Sequence, residues 1–267
     1  DYIHATGSDF AAQSILVKAG ARMGPAAMGV AASCGYATVA VSPRPRIAIA
    51  TTGDELVPVQ ATPEPHQIRM SNAATLESAL ALAGFHVGEI AHWRDEPEVG
   101  ARMLAEVLER IDVLVVVGAV SKGARDWLPT ALDAVADKVF HGVRQRPGKP
   151  MGFWKTKDDR AIFALPGNPV SAMTGLHRYV LPFIRQRDGQ MLPPLAEIEL
   201  AADISFEPPL TWFLPVKLNS NGRAEPCPVN NSGDYARLVE TDGFIELAAE
   251  QTSWIAGFRA PFYPWSS

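Results

Sequence analysis

Four short loops, each following an apolar segment, carry the residues that could do chemistry. They are Thr51-Thr52-Gly53-Asp54-Glu55, Arg94-Asp95-Glu96, the loop from Gly118 to Asp126, and the loop from Leu165 to Ser171. In a sheet of parallel strands, the carboxyl ends of the strands meet at one edge, and ligands bind beyond that edge. We therefore expect the four loops to form one ligand site.

The third loop has the composition of a phosphate-binding turn. Gly118 and Gly123 allow backbone N–H groups to approach an oxyanion. Ser121, Lys122 and Arg125 add hydrogen-bond donors and positive charge. A helix is predicted to begin directly after the loop, and its N-terminal dipole favours a bound anion. The same residues also suit an ordinary turn with solvated basic side chains, and the loop alone leaves both interpretations open.

The fourth loop and a lysine between prolines are also open to two interpretations. Asn168 suits the N-cap of a helix and Pro169 its first position, which explains both residues without a ligand. The same arrangement directs unpaired helix N–H groups at the edge where the other loops lie. Lys149 stands between Pro147-Gly148 and Pro150, so the restricted backbone either holds its ammonium group at the site or forms a rigid surface turn.

Carboxylates occur in three of the four loops. Glu55, Asp95 and Asp126 would repel one another at a single edge unless a metal or shared protons held them. Hard oxygen ligands suit Mg²⁺, which also bridges to phosphate. Each carboxylate has a simpler interpretation, since Asp95 precedes Glu96-Pro97 and is a plausible N-cap. Together they indicate a Mg²⁺ site beside the anion site.

The segment from residue 46 to 190 alternates strands and helices, which predicts a doubly wound α/β domain with a mostly parallel sheet. The predicted strands are Ile47–Ala50, Val87–His92, Val113–Val117 and Ala161–Ala164. The predicted helices are Ala73–Ala83, capped by Ser71 or Asn72, then Glu96–Arg110, Trp127–Ala136 and Pro169–Arg187.

The two flanking segments differ in composition from the centre. Residues 1–45 are rich in Ala and Gly, with a short helix predicted from Gly29 to Gly35. This segment is too short for a core of its own, so we expect it to pack against another part of the protein. Residues 191–267 predict a small β domain, because Glu197–Leu200, Trp212–Val216 and Phe244–Leu247 alternate like half-buried strands.

The overall composition excludes several classes of protein. A net charge of −5 over 267 residues argues against a nucleic-acid binder, whose surface would be basic. Cys34 and Cys227 form no disulfide framework and no zinc spacing. No apolar run reaches the ~18 residues of a membrane span, and the N-terminus shows no signal-peptide pattern. We therefore expect a cytoplasmic protein without a membrane partner.

Taken together, these segments resemble the molybdopterin molybdenumtransferase family, which includes MoeA and the E domain of gephyrin. The matching segments are Thr52-Gly53-Asp54-Glu55-Leu56, Ser71-Asn72, Asp95, Gly118 to Asp126, Pro147-Gly148-Lys149-Pro150 and Leu165 to Ser171. The resemblance covers nearly the whole chain and implies the family's molybdopterin-binding fold, its C-terminal β domain and only the end of its N-terminal region. Two positions depart from the pattern: Ala119 replaces a second glycine, and Trp127 replaces the commoner tyrosine.

The resemblance implies a reaction of molybdenum cofactor biosynthesis, in which adenylylated molybdopterin and molybdate give the cofactor and AMP with the help of Mg²⁺. Glu55, Asp95 and Asp126 match the family's catalytic and metal-binding carboxylates, and Asp9 matches a further catalytic one. Implied substrate contacts are Thr52, Gly53, Ser71, Asn72, Gly118, Ser121, Lys122, Gly123, Arg125, Lys149, Pro166, Gly167, Asn168, Pro169 and Ser171.

The resemblance also implies a homodimer and a link to the molybdopterin adenylyltransferase that makes the substrate. Two other functions stay open. The central domain also resembles that adenylyltransferase itself, although the C-terminal β domain argues against it. A non-catalytic molybdopterin-binding or scaffolding protein is favoured by Ala119 and by the short N-terminal region. Molybdate-dependent release of AMP would exclude this last function.

Overall fold

The computed structural model describes residues 5–120, 127–192, 194–229 and 234–266. Up to residue 190 the strands are β1 Ile47–Thr52, β2 Leu56–Val57, β3 Ile68–Arg69, β4 Val87–Trp93, β5 Val113–Val117, β6 Asp137–His141, β7 Gln145–Arg146, β8 Gly152–Lys155 and β9 Ala161–Leu165. The helices are α1 Pro25–Ser33, α2 Ser71–Leu82, α3 Pro97–Leu108, α4 Leu128–Val135, α5 Pro169–Gly175 and α6 Leu181–Arg187, and a π-helical turn, Leu176–Val180, joins the last two.

Six of these strands form the central sheet, in the order β4-β1-β5-β9-β8-β6. The first four are parallel to their neighbours, and β8 and β6 are antiparallel. Every residue of β1, β5 and β9 is buried, because helices cover both faces. Ile47 and Ile49 pack with α2, α5 and α6, whereas Ala48 and Ala50 pack with α3 and α4. The predicted doubly wound α/β fold is confirmed.

Two predicted helix caps are wrong. Helix α2 begins at Ser71, Met70 occupies the N-cap position, and neither Ser71 nor Asn72 caps the helix. Helix α3 has Glu96 at its N-cap position, so Asp95 is not the cap. The side chains of Asn72 and Asp95 bond instead to partners on other elements, which a local cap pattern does not reveal.

The N-terminal segment is more exposed than its composition predicts. Helix α1 begins at Pro25, because proline is favoured at the first position of a helix, and it ends at Ser33. The helix predicted from Gly29 to Gly35 therefore begins about one turn earlier than expected. None of its residues is buried, and the side chains of Ile15 and Tyr36 are 79% and 67% exposed. The segment does contact the rest of the chain, because a Cβ atom at Gly20 would lie 3.4 Å from the Gly189 carbonyl oxygen and the Arg44 guanidinium donates to the Gly84 carbonyl at 2.7 Å. The expected packing is therefore present in part, and it leaves much of the apolar surface of the segment exposed.

The last third of the chain forms a second sheet, as predicted. Its elements are β10 Glu197–Glu199, β11 Ile204–Ser205, β12 Thr211–Leu218, β13 Ala224–Pro226, α7 Tyr235–Leu238, β14 Gly243–Leu247, β15 Ser253–Trp254 and β16 Arg259–Pro264. Strands β10, β16, β14, β12 and β13 lie side by side in that order. This C-terminal sheet is joined to the central part, because β7 pairs with β12 in parallel.

A partly buried cluster of charged and aromatic side chains also joins the two parts. Arg178, from the π-helical turn, donates to Glu246 of β14 at 2.8 Å. The hydroxyl of Tyr263 donates to the same carboxylate at 2.7 Å, and the Arg178 guanidinium lies over the Tyr263 ring at 5.5 Å. Because both ends of the ion pair are held, this contact fixes the C-terminal sheet against the central helices.

His177 is a buried titratable group at the same junction. Its ring meets the Trp265 ring edge-on, with 5.1 Å between centroids. Burial, together with the positive charge of Arg185, lowers the pKa of His177 from 6.5 to about 4. Below pH 6.5 His177 is protonated in the unfolded chain, whereas in the folded chain it stays neutral down to about pH 4. The stability that comes from keeping His177 neutral is therefore fully present above pH 6.5 and is lost as the pH falls from 6.5 to about 4.

We expect the wild-type protein to lose about 1.5 kcal/mol more unfolding free energy between pH 8 and pH 5.5 than the variant His177→Phe loses. Phenylalanine keeps a ring against Trp265 and removes the titrating group. Urea unfolding curves of both proteins at the two pH values measure the difference. An equal loss in both proteins would show that His177 is not the group responsible.

No helix among the described residues has both the length and the apolar character that crossing a membrane requires.

Candidate active site at the strand ends

A cavity of about 940 Å³ opens at the carboxyl ends of β1, β4, β5 and β9. All four predicted loops contribute to its wall, as expected for the edge of a parallel sheet. The predicted site residues in the wall are Thr52, Gly53, Glu55, Ser71, Asn72, Asp95, Gly118, Pro166, Gly167, Asn168 and Pro169. The volume lies near the upper end of the range typical of small-molecule sites.

Gly53 lets the carboxylate of Glu55 fold back over the end of β1. A Cβ atom at Gly53 would lie 2.7 Å from each carboxylate oxygen of Glu55, and the φ of Gly53 is +136°. A side chain there would therefore push the carboxylate away and would also strain the backbone. The Thr-Gly-Asp-Glu sequence thus places an acidic group at the cavity wall.

Asp95 is held from two sides. The backbone N–H of Asp95 donates to the Asp54 carboxylate at 3.2 Å. The indole N–H of Trp127 donates to the Asp95 carboxylate at 3.3 Å. The Trp127 ring is buried, and a Cβ atom at Gly100 would overlap it. This bond ties Trp127, the residue that follows the third loop in sequence, to Asp95.

Gly118 and Thr52 approach each other closely in the cavity wall. A Cβ atom at Gly118 would lie 2.5 Å from the Thr52 hydroxyl oxygen and 2.7 Å from the Thr52 carbonyl oxygen. Both Gly118 and Ala119 have positive φ, at +107° and +47°. The Thr52 hydroxyl is buried and has no hydrogen-bond partner among the described residues. The backbone that follows β5 thus passes close to the end of β1 where the third loop begins.

Asn72 lies in the wall, but its side chain amide serves other parts of the protein. The amide nitrogen donates to the Gly167 carbonyl at 2.6 Å, and the Tyr235 hydroxyl donates to the amide oxygen at 2.8 Å. Asn72 therefore links the first turn of α2 to the fourth loop and to the C-terminal part of the chain.

Three predicted site residues do not line the cavity. Asp9 is exposed in the N-terminal segment, and Lys149 is exposed, although its neighbour Pro150 reaches the wall. Ser171 is buried in the first turn of α5, with 3% of its surface exposed. Of the two interpretations of the Pro-Gly-Lys-Pro segment, the surface turn is the one seen in this structure.

Ser121, Lys122, Gly123, Arg125 and Asp126 lie outside the described residues. Within the described ranges, no group of three or more His, Cys, Asp or Glu side chains is arranged to hold a metal ion. The donor chemistry of the part that is described does suit Mg²⁺, since the hard oxygens of Glu55 and Asp95 come from the neighbouring strands β1 and β4.

Several wall residues are not among the predicted ones. The pair β2–β3 brings Gln67, Ile68, Arg69 and Met70 to the cavity, and α7 brings Tyr235. Arg69 is held by a bond from its Nε to the Val59 carbonyl at 2.9 Å. No periodic pattern marks β2 and β3, which have two residues each, so their place beside the site was not visible in the sequence.

Two family models match the chain in the order of its two sheets. The model described as a probable molybdopterin binding domain matches residues 48–186, and that of the MoeA C-terminal region (domain IV) matches residues 197–265. A molybdopterin molybdenumtransferase from Synechocystis sp. is 37% identical over 99% of this chain. The chain belongs to the molybdopterin molybdenumtransferase family.

Other members of the molybdopterin molybdenumtransferase family show how much of a relative the chain represents. It spans 67% of the Synechocystis protein, and 59% of a Staphylococcus aureus molybdopterin molybdenumtransferase that is 30% identical to it. A crystal structure of the molybdopterin biosynthesis MoeA protein from Pyrococcus horikosii superposes with a TM-score of 0.78 at 26% identity, over 94% of this chain and 62% of that one. The chain therefore has the fold of a MoeA protein over about three fifths of that protein's length.

Proposed function

We propose that the strand-end cavity binds adenylylated molybdopterin and molybdate and promotes the formation of molybdenum cofactor with release of AMP. The observation that carries this proposal is the convergence of all four predicted loops on one cavity of about 940 Å³. Membership of the family supports the assignment to molybdenum cofactor biosynthesis.

The wall residues divide into two kinds of contact. The backbone at Gly118 and in the loop from Pro166 to Pro169 approaches the cavity closely, which suits pterin and phosphate groups. Glu55, Asp95 and Asp126 would hold Mg²⁺. This ion, when bound, would neutralise negative charge on the pyrophosphate of adenylylated molybdopterin. The basic residues of the third loop are proposed to bind phosphate or molybdate oxygens.

The proposed chemical step is a displacement at the adenylyl phosphorus. The oxygen of a water molecule forms a new bond to that phosphorus and its proton passes to solvent, while the bond from the phosphorus to the bridging oxygen breaks. The water oxygen leaves on AMP, and the bridging oxygen stays on the phosphate of molybdopterin. The two dithiolene sulfurs of molybdopterin then replace two oxygens of molybdate, which take up protons and leave as water, so the molybdenum keeps its oxidation state and no oxidant or reductant is consumed. This chain contributes by holding the two phosphates and the molybdate in one cavity, where basic side chains and backbone N–H groups balance their negative charges.

Two further proposals concern the setting of the reaction. The exposed apolar side chains of residues 5–45 suit a homodimer, and the molybdopterin adenylyltransferase is the protein that would supply the substrate. Both cysteines are free thiols, which fits the reducing conditions of the cytoplasm.

The test is to mix the protein with adenylylated molybdopterin and Mg²⁺ and to follow AMP with and without molybdate. We expect AMP release that depends on molybdate. Binding of the nucleotide substrate without release would instead identify a scaffolding or storage protein. Formation of adenylylated molybdopterin from ATP and molybdopterin would identify an adenylyltransferase. Either of these results contradicts the proposed function.

A further inference from the structure

Tyr235 brings the C-terminal part of the chain to the cavity of the central part. It stands on the short helix α7 and contributes to the cavity wall, whereas the rest of the described wall comes from residues 51–169. Its hydroxyl lies 2.8 Å from the Asn72 amide oxygen and 3.0 Å from the Thr75 hydroxyl oxygen. A single phenol therefore contacts the first turn of α2 across the boundary between the two sheets.

The orientation of the Asn72 amide follows from its two partners. The Gly167 carbonyl only accepts hydrogen bonds, so the amide nitrogen must face it, at 2.6 Å. The amide oxygen then faces Tyr235 and accepts from its hydroxyl. Burial raises the pKa of Tyr235, so the hydroxyl keeps its proton and remains a donor at neutral pH. The result is a directed chain of hydrogen bonds from Tyr235 through Asn72 to Gly167.

The last member of this chain lies at a narrow point of the site. A Cβ atom at Gly167 would lie 3.7 Å from the Cα atom of Gly118, so the third and fourth loops almost touch there. Asn168 and Pro169, which follow Gly167, are wall residues; Asn168 is the N-cap of α5 and Pro169 its first residue. A shift of the Gly167 carbonyl would therefore change the width of the cavity between the two loops that face the phosphates.

We propose that Tyr235 is a positioning residue, which sets the separation between the first turn of α2 and the Gly167 loop and thereby the affinity of the cavity for its phosphate-bearing ligand. The statement about the ligand depends on the function proposed above. The statement about the loop does not, because it rests on hydrogen bonds between protein groups alone. The C-terminal part thus acts on the site through the Tyr235 side chain.

A simpler explanation is that Tyr235 only holds the two parts of the chain together. Tyr263 provides the matched control, because its hydroxyl supports the Arg178–Glu246 contact between the same two parts and is not among the wall residues. The variants Tyr235→Phe and Tyr263→Phe each remove one hydroxyl and keep the ring. A role limited to cohesion predicts the same behaviour for both.

The experiment compares these two variants with the wild-type protein in two measurements. In the absence of ligand, amide hydrogen exchange is followed in residues 166–172, and Tyr235→Phe should speed it about tenfold while Tyr263→Phe leaves it unchanged. With adenylylated molybdopterin, Tyr235→Phe should raise Kd and KM about tenfold and leave kcat within about twofold.

Equal exchange in the Gly167 loop of Tyr235→Phe and of the wild-type protein would overturn the proposal, and so would equal changes in the two variants. Failure of the wild-type protein to bind adenylylated molybdopterin would contradict the proposed function alone, since the exchange measurement still decides the role of Tyr235.

Discussion

Replacing Glu55 with glutamine should lower molybdate-dependent AMP release about 100-fold and raise the Mg²⁺ concentration needed for half-maximal rate. Glutamine has the size of glutamate, so it can occupy the space above Gly53, where the carboxylate lies 2.7 Å from the position of an added Cβ atom. Only the charge changes. If Glu55 and Asp95 share a cation in the cavity, the loss of one anionic ligand weakens both the metal and the phosphates that it holds.

Glu64→Gln is the control for this variant. It removes the same charge from the same connection between β1 and α2, but the side chain of Glu64 is 70% exposed and is not in the cavity wall. We expect its AMP release and Mg²⁺ requirement to equal those of the wild-type protein. A Glu55→Gln enzyme with the wild-type rate and Mg²⁺ requirement would remove Glu55 from the proposed metal site.

The position of the site could be predicted because it follows from the sheet and not from any one side chain. Runs such as Val113–Val117 are apolar at every position, which requires cover on both faces and therefore a parallel sheet with helices on both sides. Once the strands are parallel, the loops after them share an edge. The prediction of a common site for Glu55, Asp95, Gly118 and Gly167 needed no knowledge of side-chain geometry.

The contacts inside the site could not be predicted, because they join residues far apart in the chain. Tyr235 and Asn72 are 163 positions apart, and nothing near either residue indicates that they meet. Asp95 shows the same difficulty. Its local sequence suits an N-cap, yet the Trp127 indole, 32 positions away, takes its carboxylate. Polar side chains near helix starts have several partners available, and tertiary packing decides among them.

The backbone conformation at Gly118 and Ala119 leads to opposite predictions for two neighbouring substitutions. Gly118 faces Thr52 on β1, and β1 lies between β4 and β5, so the strand cannot move away from an added methyl group. Ala119 has its φ at +47°, a left-handed conformation that costs an alanine about 1 kcal/mol. Glycine adopts this conformation freely but loses a similar amount through the flexibility of the unfolded chain.

We therefore expect Gly118→Ala to destabilise the protein by about 3 kcal/mol and to weaken binding of adenylylated molybdopterin at least about tenfold. Ala119→Gly should change the free energy of unfolding by less than about 0.5 kcal/mol and leave the affinity equal or higher. Urea unfolding and ligand titration of both variants measure these effects. A Gly118→Ala protein with wild-type stability would mean that Thr52 can move away from an added Cβ atom, which would otherwise lie 2.5 Å from its hydroxyl oxygen. Weaker binding by Ala119→Gly would mean that the methyl group of Ala119 is itself a contact for the ligand. The alanine in place of the family's second glycine would then be an adaptation of this chain's cavity.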